Sequence, residues 1–237
     1  MNNNTIIGID EAGLGPVFGP LVVAGVAVEI TKQEILKKIG VKDSKMFSVS
    51  GVNARYKRQE ILEKANPHII KTDHVLFSAS EIDTNFRKSI TMYDLEIKGI
   101  AQILNHLYDD STTEIIVHQI GGLSKLKFLN KLQKQDKTIS NMFPIIRYEK
   151  SADILYVPVS MASIIAKTTR DFNVEELCNK YHEGYISGYP TPTTAKFFER
   201  YYLRHGYLPS DVRFTRKWGP LQKIQSTLEK EKSIYKV

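Results

Sequence analysis

Apolar positions along the chain fall into short dense runs separated by longer stretches with a helical period. Five runs read as strands: Thr5–Asp10, Leu21–Val28, His74–Ala79, Glu114–His118 and Ile145–Glu149. Short apolar runs bounded by turn residues fit buried or half-buried strands. The first two lie close in sequence and predict an antiparallel, hairpin-type pair. The fourth and fifth flank a helical stretch, Ser124–Gln135, which predicts a parallel pair joined by a crossover.

Helical periodicity is clearest from Thr91 to Leu107, where Met92, Leu95, Ile100, Ile103, Leu104 and Leu107 can share one face. Val159–Tyr181 predicts a second long helix, with Pro158 in its first turn, where a missing N–H is harmless. Thr193 or Thr194 could cap a third helix that runs to His205 and stops at Gly206. A last helix, Pro220–Lys232, is rich in Lys, Glu and Gln. The stretch Gly184–Pro192 carries two Gly and two Pro and is the expected hinge. These elements predict an α/β fold: a mixed five-stranded sheet flanked by helices over residues 1–180, then a C-terminal helical segment, 181–237.

Composition narrows the function classes. A hydrophobic content of 42% with 25% charged residues is ordinary for a soluble globular chain. No apolar run is long enough for a spanning helix, so no membrane role is expected. Met1–Asn4 lacks the basic-then-apolar pattern of a secretory signal. The lone Cys178 excludes an intrachain disulfide and any multi-cysteine metal site, reads as a small apolar helix residue, and fits a cytoplasmic setting. A net charge of +7 tilts toward an anionic partner. Basic residues cluster at Arg55–Arg58, Lys125–Lys134 and Arg200–Lys217, the last interleaved with Tyr201, Tyr202, Tyr207, Phe214 and Trp218. Basic residues beside aromatics suit a sugar-phosphate backbone, although solvated helix faces explain each cluster alone equally well.

The segment Gly8–Pro16 carries the most specific chemistry. It sets Asp10 and Glu11 side by side where the first strand breaks into glycines. Adjacent acids at a buried strand end are costly unless a cation neutralises them, and hard divalent ions take carboxylate oxygens. The glycines allow backbone amides to approach an anionic ligand. An ordinary surface turn is the competing reading. In an open sheet, functional side chains collect at neighbouring strand ends. Those of strands one, four and five carry Asp10-Glu11, His118-Gln119 and the Glu149–Asp153 segment. Their convergence would make a metal site, which spacing alone does not establish.

Six blocks follow one another in order: Asp10–Pro20, Val41–Lys45, Ser80–Asp83 before the long helix, Lys150–Asp153, Ser160–Asp171 and Ser187–Pro190. Together, over most of residues 5–220, they resemble the signature blocks of the type 2 ribonucleases H, especially ribonuclease HII of the archaeal kind. The resemblance implies a ribonuclease H-like fold, a monomer, and hydrolysis of the RNA strand of RNA–DNA hybrids, including ribonucleotides embedded in DNA. The implied mechanism is metal-assisted attack of water on a phosphodiester, with Mg²⁺ or Mn²⁺, leaving a 3′-hydroxyl. It makes Asp10, Glu11 and Asp153 catalytic metal ligands. Gly13 and Gly15, flanking Leu14, would present backbone groups to the 2′-hydroxyl that separates RNA from DNA. Tyr189 would stack near the deoxyribose after the junction, and Lys45 and Lys167 would contact phosphates.

Two positions depart from that pattern. His118 stands where the family carries an aspartate, and Leu14 where ribonuclease HII usually carries arginine. Imidazole suits Mn²⁺, Fe²⁺ or Zn²⁺ better than Mg²⁺, and it removes one negative charge, so weak, Mn²⁺-dependent or absent hydrolysis is expected. His118 is a fourth candidate ligand; a neutral core histidine and a non-productive remnant are the alternatives. Leu14 is expected to relax the preference for a single embedded ribonucleotide without stopping chemistry. The competing functions are a degenerate paralogue that binds hybrids without cutting and a DNA nuclease of the same class, which the Gly13–Gly15, Ser44-Lys45 and Ser163–Lys167 blocks disfavour. Among the remaining polar residues, Asp171 is expected in an ion pair with Arg170, and Asp43 and Asp83 in caps or turns. His182 and His205 read as surface helix residues, and Glu149 either flanks the metals or faces solvent.

Overall fold

The computed structural model describes residues 4–41 and 52–234, and its sheet is organised around one central strand. That strand, β1 (Thr5–Ala12), is buried at all but one position. It pairs antiparallel with β2 (Leu21–Glu29) in a register running from Thr5 opposite Glu29 to Ala12 opposite Val22. On its other side it pairs parallel with β4 (Thr112–His118), up to Ile9 beside Val117. β5 (Ile146–Glu149) continues the parallel half, ending with His118 beside Glu149. β3 (Lys71–Phe77) closes the opposite edge, giving the order β3-β2-β1-β4-β5. The hairpin, the parallel crossover and the mixed five-stranded sheet therefore follow the sequence reading.

Nine α-helices occur among the described residues: α1 (Gln33–Ile39), α2 (Val52–Ala65), α3 (Ala79–Arg87), α4 (Met92–Leu107), α5 (Lys125–Gln135), α6 (Ala152–Leu155), α7 (Val157–Lys180), α8 (Pro192–His205) and α9 (Gly219–Ile234). No helix of the described residues is long and apolar enough to cross a membrane.

Two boundaries and two unpredicted helices differ from expectation for local reasons. β3 stops at Phe77, because Ser78 and Glu81 form a reciprocal capping box that turns the chain into α3. Ser80–Asp83 is thus helical. α8 is capped by Thr191, whose hydroxyl accepts the Thr194 N–H at 3.3 Å, with Pro192 filling the first turn. α1 and α2 carry little periodic signal: α1 buries only Leu36, and the α2 sequence is mostly polar.

The chain forms two compact units built from interleaved segments, whereas the sequence division at residue 180 follows chain order. The first comprises Met1–Ala12, Val22–Leu76 and Thr91–Thr169 and holds the sheet. The second comprises Gly13–Leu21, Phe77–Ile90 and Arg170–Val237. Its core gathers Phe18, Val174, Cys178, Phe197, Phe198 and Val212. Phe18 meets the Phe197 ring edge-on at 5.5 Å between centroids, and Cys178 packs there as a small apolar residue.

Strand alternation sends even and odd residues of β1 to opposite faces of the sheet. On the even face, Ile6 packs with Ile116, Ala152 and Val159. Gly8 lies there against the α7 backbone: a Cβ on it would fall 2.2 Å from the carbonyl carbon of Pro158 and 2.4 Å from the amide nitrogen of Val159. On the odd face, Ile9, Gly25 and Ile103 of α4 meet. A methyl at Gly8 cannot be relieved by a rotamer change, because backbone stands in its way. Gly8→Ala is therefore expected to destabilise the protein by about 3 kcal/mol or more, at the upper end of overpacking effects, read from urea denaturation.

Candidate metal centre

Asp10 near the end of β1, His118 at the end of β4 and Asp153 in the first turn of α6 come together in the first unit. Even-face alternation aims Asp10 and His118 toward the side where α6 packs, since Ile6, Ile116 and Ala152 share one cluster. The α6 turn is entered through Ser151, which adopts a left-handed conformation with φ of 53°. His118 Nδ1 lies 3.6 Å from Asp10 Oδ1 and 3.3 Å from Asp153 Oδ1. One donor atom from each of the three residues lies within 4.8 Å of the others, so a single ion can reach all of them. Asp10 is 6% exposed and Asp153 3% exposed, while His118 keeps partial access to solvent.

Glu11 adjoins this group and hydrogen-bonds to the Asp10 side chain. Burial first, then the Asp10 and Glu96 charges, push its carboxyl well above the usual carboxylate range. Glu96 of α4 is raised in the same direction by burial and then by Asp10. Desolvated carboxylates that repel one another are what a bound dication relieves, and two carboxylates with an imidazole are suitable donors for Mn²⁺. The residues present fit a divalent metal. Glu149 instead accepts a hydrogen bond from the Tyr156 hydroxyl at 2.8 Å.

The sequence reading missed Glu96. The available signal was its place on the apolar face of α4, one turn before Ile100 and two before Ile103. An acid in the middle of an apolar stripe is the anomaly to follow.

The glycine loop belongs to the second unit. Gly13 has φ of 106°, which a side chain would strain, and a Cβ there would fall 2.5 Å from the Pro20 carbonyl. Arg213, 0% exposed, donates from Nη1 to the Gly13 carbonyl at 2.6 Å and from Nε to the Gly19 carbonyl at 2.8 Å. Arg216 donates to the Leu14 carbonyl and, at 3.4 Å, to that of Pro16. Burial, followed by the neighbouring Arg216 and Arg170 charges, lowers the Arg213 pKa to about 9. Tyr189 is 41% exposed, carries the Arg170 guanidinium 4.9 Å from its ring centroid, and would stand 3.1 Å from a Cβ on Gly15. Gly13, Leu14, Gly15 and Tyr189 are thus one neighbourhood. The two arginine clamps were visible in sequence only as members of a basic cluster.

The other expected residues are placed as follows. Lys167 Nζ donates to the Ser163 hydroxyl at 3.0 Å on α7. Lys45 and Asp43 lie outside the described residues. Asp83 accepts hydrogen bonds from the Phe214 and Thr215 amides at 2.7 and 3.1 Å, a structural role. Arg170 pairs with Asp171 at 2.8 Å. His205 is the exposed last residue of α8, and His182 lies exposed in the turn beyond α7 rather than within a helix.

With this geometry in place, comparison with known proteins identifies the family. The profile of ribonuclease HII matches residues 7–217. The chain belongs to the ribonuclease HII family. It is 39% identical to a ribonuclease HII of Thermococcus sibiricus over 95% of this chain and 93% of that one. It is 35% identical to a ribonuclease HII of Pyrococcus furiosus with the same two shares. The crystal structure of ribonuclease H2 from Pyrococcus horikoshii superposes with a TM-score of 0.79 at 33% identity, over 95% of this chain and 99% of that one. The fold is accordingly ribonuclease H-like, and membership of the ribonuclease HII family makes the chain a metal-dependent endoribonuclease.

The raised Glu96 carboxyl gives a pH-dependent stability with a definite sign. Its unfolded value is near 4.5, and in the metal-free folded protein it holds its proton to higher pH. Folding then takes up a proton above pH 4.5, so this group's contribution to stability falls as pH rises. Glu96→Gln removes that dependence. In chelator, the variant is expected to melt at the same temperature as the parent below pH 4.5 and at a progressively higher one toward neutrality.

Proposed function

We propose that this chain is an endonuclease that hydrolyses the RNA strand of RNA–DNA hybrids, including ribonucleotides embedded in DNA, and leaves 3′-hydroxyl ends. The observation that carries the reading is the meeting of Asp10, His118 and Asp153 donor atoms within 4.8 Å at the strand ends. Asp10, Glu11, His118 and Asp153 hold the divalent ion, which when bound supplies an activated water and stabilises the leaving oxygen. The imidazole at 118 shifts the preference from Mg²⁺ to Mn²⁺.

The backbone of Gly13, Leu14 and Gly15 offers the groups that read a 2′-hydroxyl, and the clamps from Arg213 and Arg216 fix that backbone. The Tyr189 ring, 41% exposed, stacks on a sugar or base. Lys167, and Lys45 by motif, serve phosphates, and the helical segment 181–237 binds substrate. The same reading has the enzyme acting as a monomer in the cytoplasm.

His118 favours one competing reading, a catalytically impaired paralogue that binds hybrids without cutting them. One substitution separates the two. On a duplex carrying ribonucleotides, the parent is expected to cleave with Mn²⁺ and poorly with Mg²⁺. His118→Asp is expected to raise the Mg²⁺-dependent rate about tenfold or more, since it restores a hard anionic donor. Asp10→Asn should abolish cleavage in both metals. If the parent yields no product in either metal at high enzyme, yet binds hybrid more tightly than DNA duplex in a salt-sensitive way, the binding-module reading replaces the first.

A further inference from the structure

Glu96 lies outside the family blocks, yet the fold carries it toward the metal end of the sheet, as it does Glu149, whose carboxylate is engaged by the Tyr156 hydroxyl. Three observations place Glu96. Tyr93, one turn before Glu96 on α4, touches the loop after β4: its hydroxyl would stand 2.6 Å from a Cβ on Gly121, three residues beyond His118. Two turns after Glu96, Ile103 packs on Gly25 beside Ile9. α4 therefore runs back along the sheet from the end where β1 and β4 stop, with Glu96 near that end. Glu11 belongs to the same face of β1 as Ile9, two residues further toward the exit. From Ile103 to Glu96 the helix covers about 10 Å, and from Ile9 to Glu11 the strand covers about 7 Å, so the two carboxyls approach one another.

Glu96 is 2% exposed, and its Oε2 has no hydrogen-bond partner among the described residues. A buried acid in an apolar stripe without a donor for one oxygen is unfavourable unless it serves a ligand. Position 118 shows what that ligand needs, because an imidazole there leaves the centre one negative charge short of an all-carboxylate set. We propose that Glu96 is a further carboxylate of the metal centre, supplying from α4 the negative charge that His118 does not. The inference rests on the metal centre assigned above.

The test titrates metal-free full-length protein with Mn²⁺ by calorimetry. Glu96→Gln is expected to weaken Mn²⁺ binding about ten- to hundredfold, the range seen when carboxylates supporting a metal are removed. Glu96→Asp keeps the charge and should recover part of the loss, while Asp10→Asn should abolish binding. Equal affinity of parent and Glu96→Gln overturns the role of Glu96 and leaves the centre itself standing. Failure of the parent to bind Mn²⁺, or undiminished binding by Asp10→Asn, overturns both. A crystal of the unsubstituted protein soaked in Mn²⁺ decides the point even if Glu96→Gln does not fold. A Glu96 oxygen on the ion, or one water away, supports the proposal, and an ion with Glu96 in neither position overturns it.

Discussion

Like charge buried at one end of a sheet is the constraint around which the first unit is built. Asp10 and Asp153 are almost completely covered, and the Asp10 charge raises the cost of ionising both Glu11 and Glu96. Such a cluster is unfavourable for folding alone, since each carboxylate gives up water without gaining a cation. The surrounding apolar core holds it in place: Ile6, Ile116, Ala152 and Val159 on one face, and Ile9 with Ile103 on the other. The destabilised acids are thus the part of the molecule prepared for a ligand, and packing elsewhere offsets their cost.

Alternation along β1 sends the neighbouring acids Asp10 and Glu11 out of the strand in different directions, yet their carboxyls still reach one another by a hydrogen bond. The even face receives Asp153 on the short helix α6, and β4, parallel to β1, brings His118 to the same end. The odd face receives α4. Parallel pairing of β1 with β4 is essential here, because an antiparallel β4 would leave position 118 at the far end of the sheet.

How much of this was legible follows from where each signal resides. The central strands and their pairing were readable, because dense apolar runs and connection lengths are local properties. The end of β3 was not, because a capping box between Ser78 and Glu81 outcompeted an apolar run that continued to Ala79. The Asp10–His118–Asp153 group was anticipated from strand ends and family blocks, whereas Glu96 required knowing which face of α4 is covered. Arg213 and Arg216 were hidden for another reason. Their partners are main-chain carbonyls about two hundred residues away, and a carbonyl leaves no trace in residue identity.

The two departures from the family pattern consequently differ in weight. At position 14 the loop is shaped through its backbone: Arg216 holds the Leu14 carbonyl, Arg213 holds that of Gly13, and the side chain at 14 takes part in neither bond. Exchanging that side chain can leave the carbonyls and amides of the loop where they are, so its effect falls on what the side chain itself would touch. At position 118 the side chain is the functional group. Its ring nitrogen sits within 3.6 Å of two carboxylates, and any change there alters both the charge and the donor chemistry seen by an ion. Under the proposed function, metal preference and rate therefore hinge on residue 118, while residue 14 would act on substrate selection without disturbing the loop backbone.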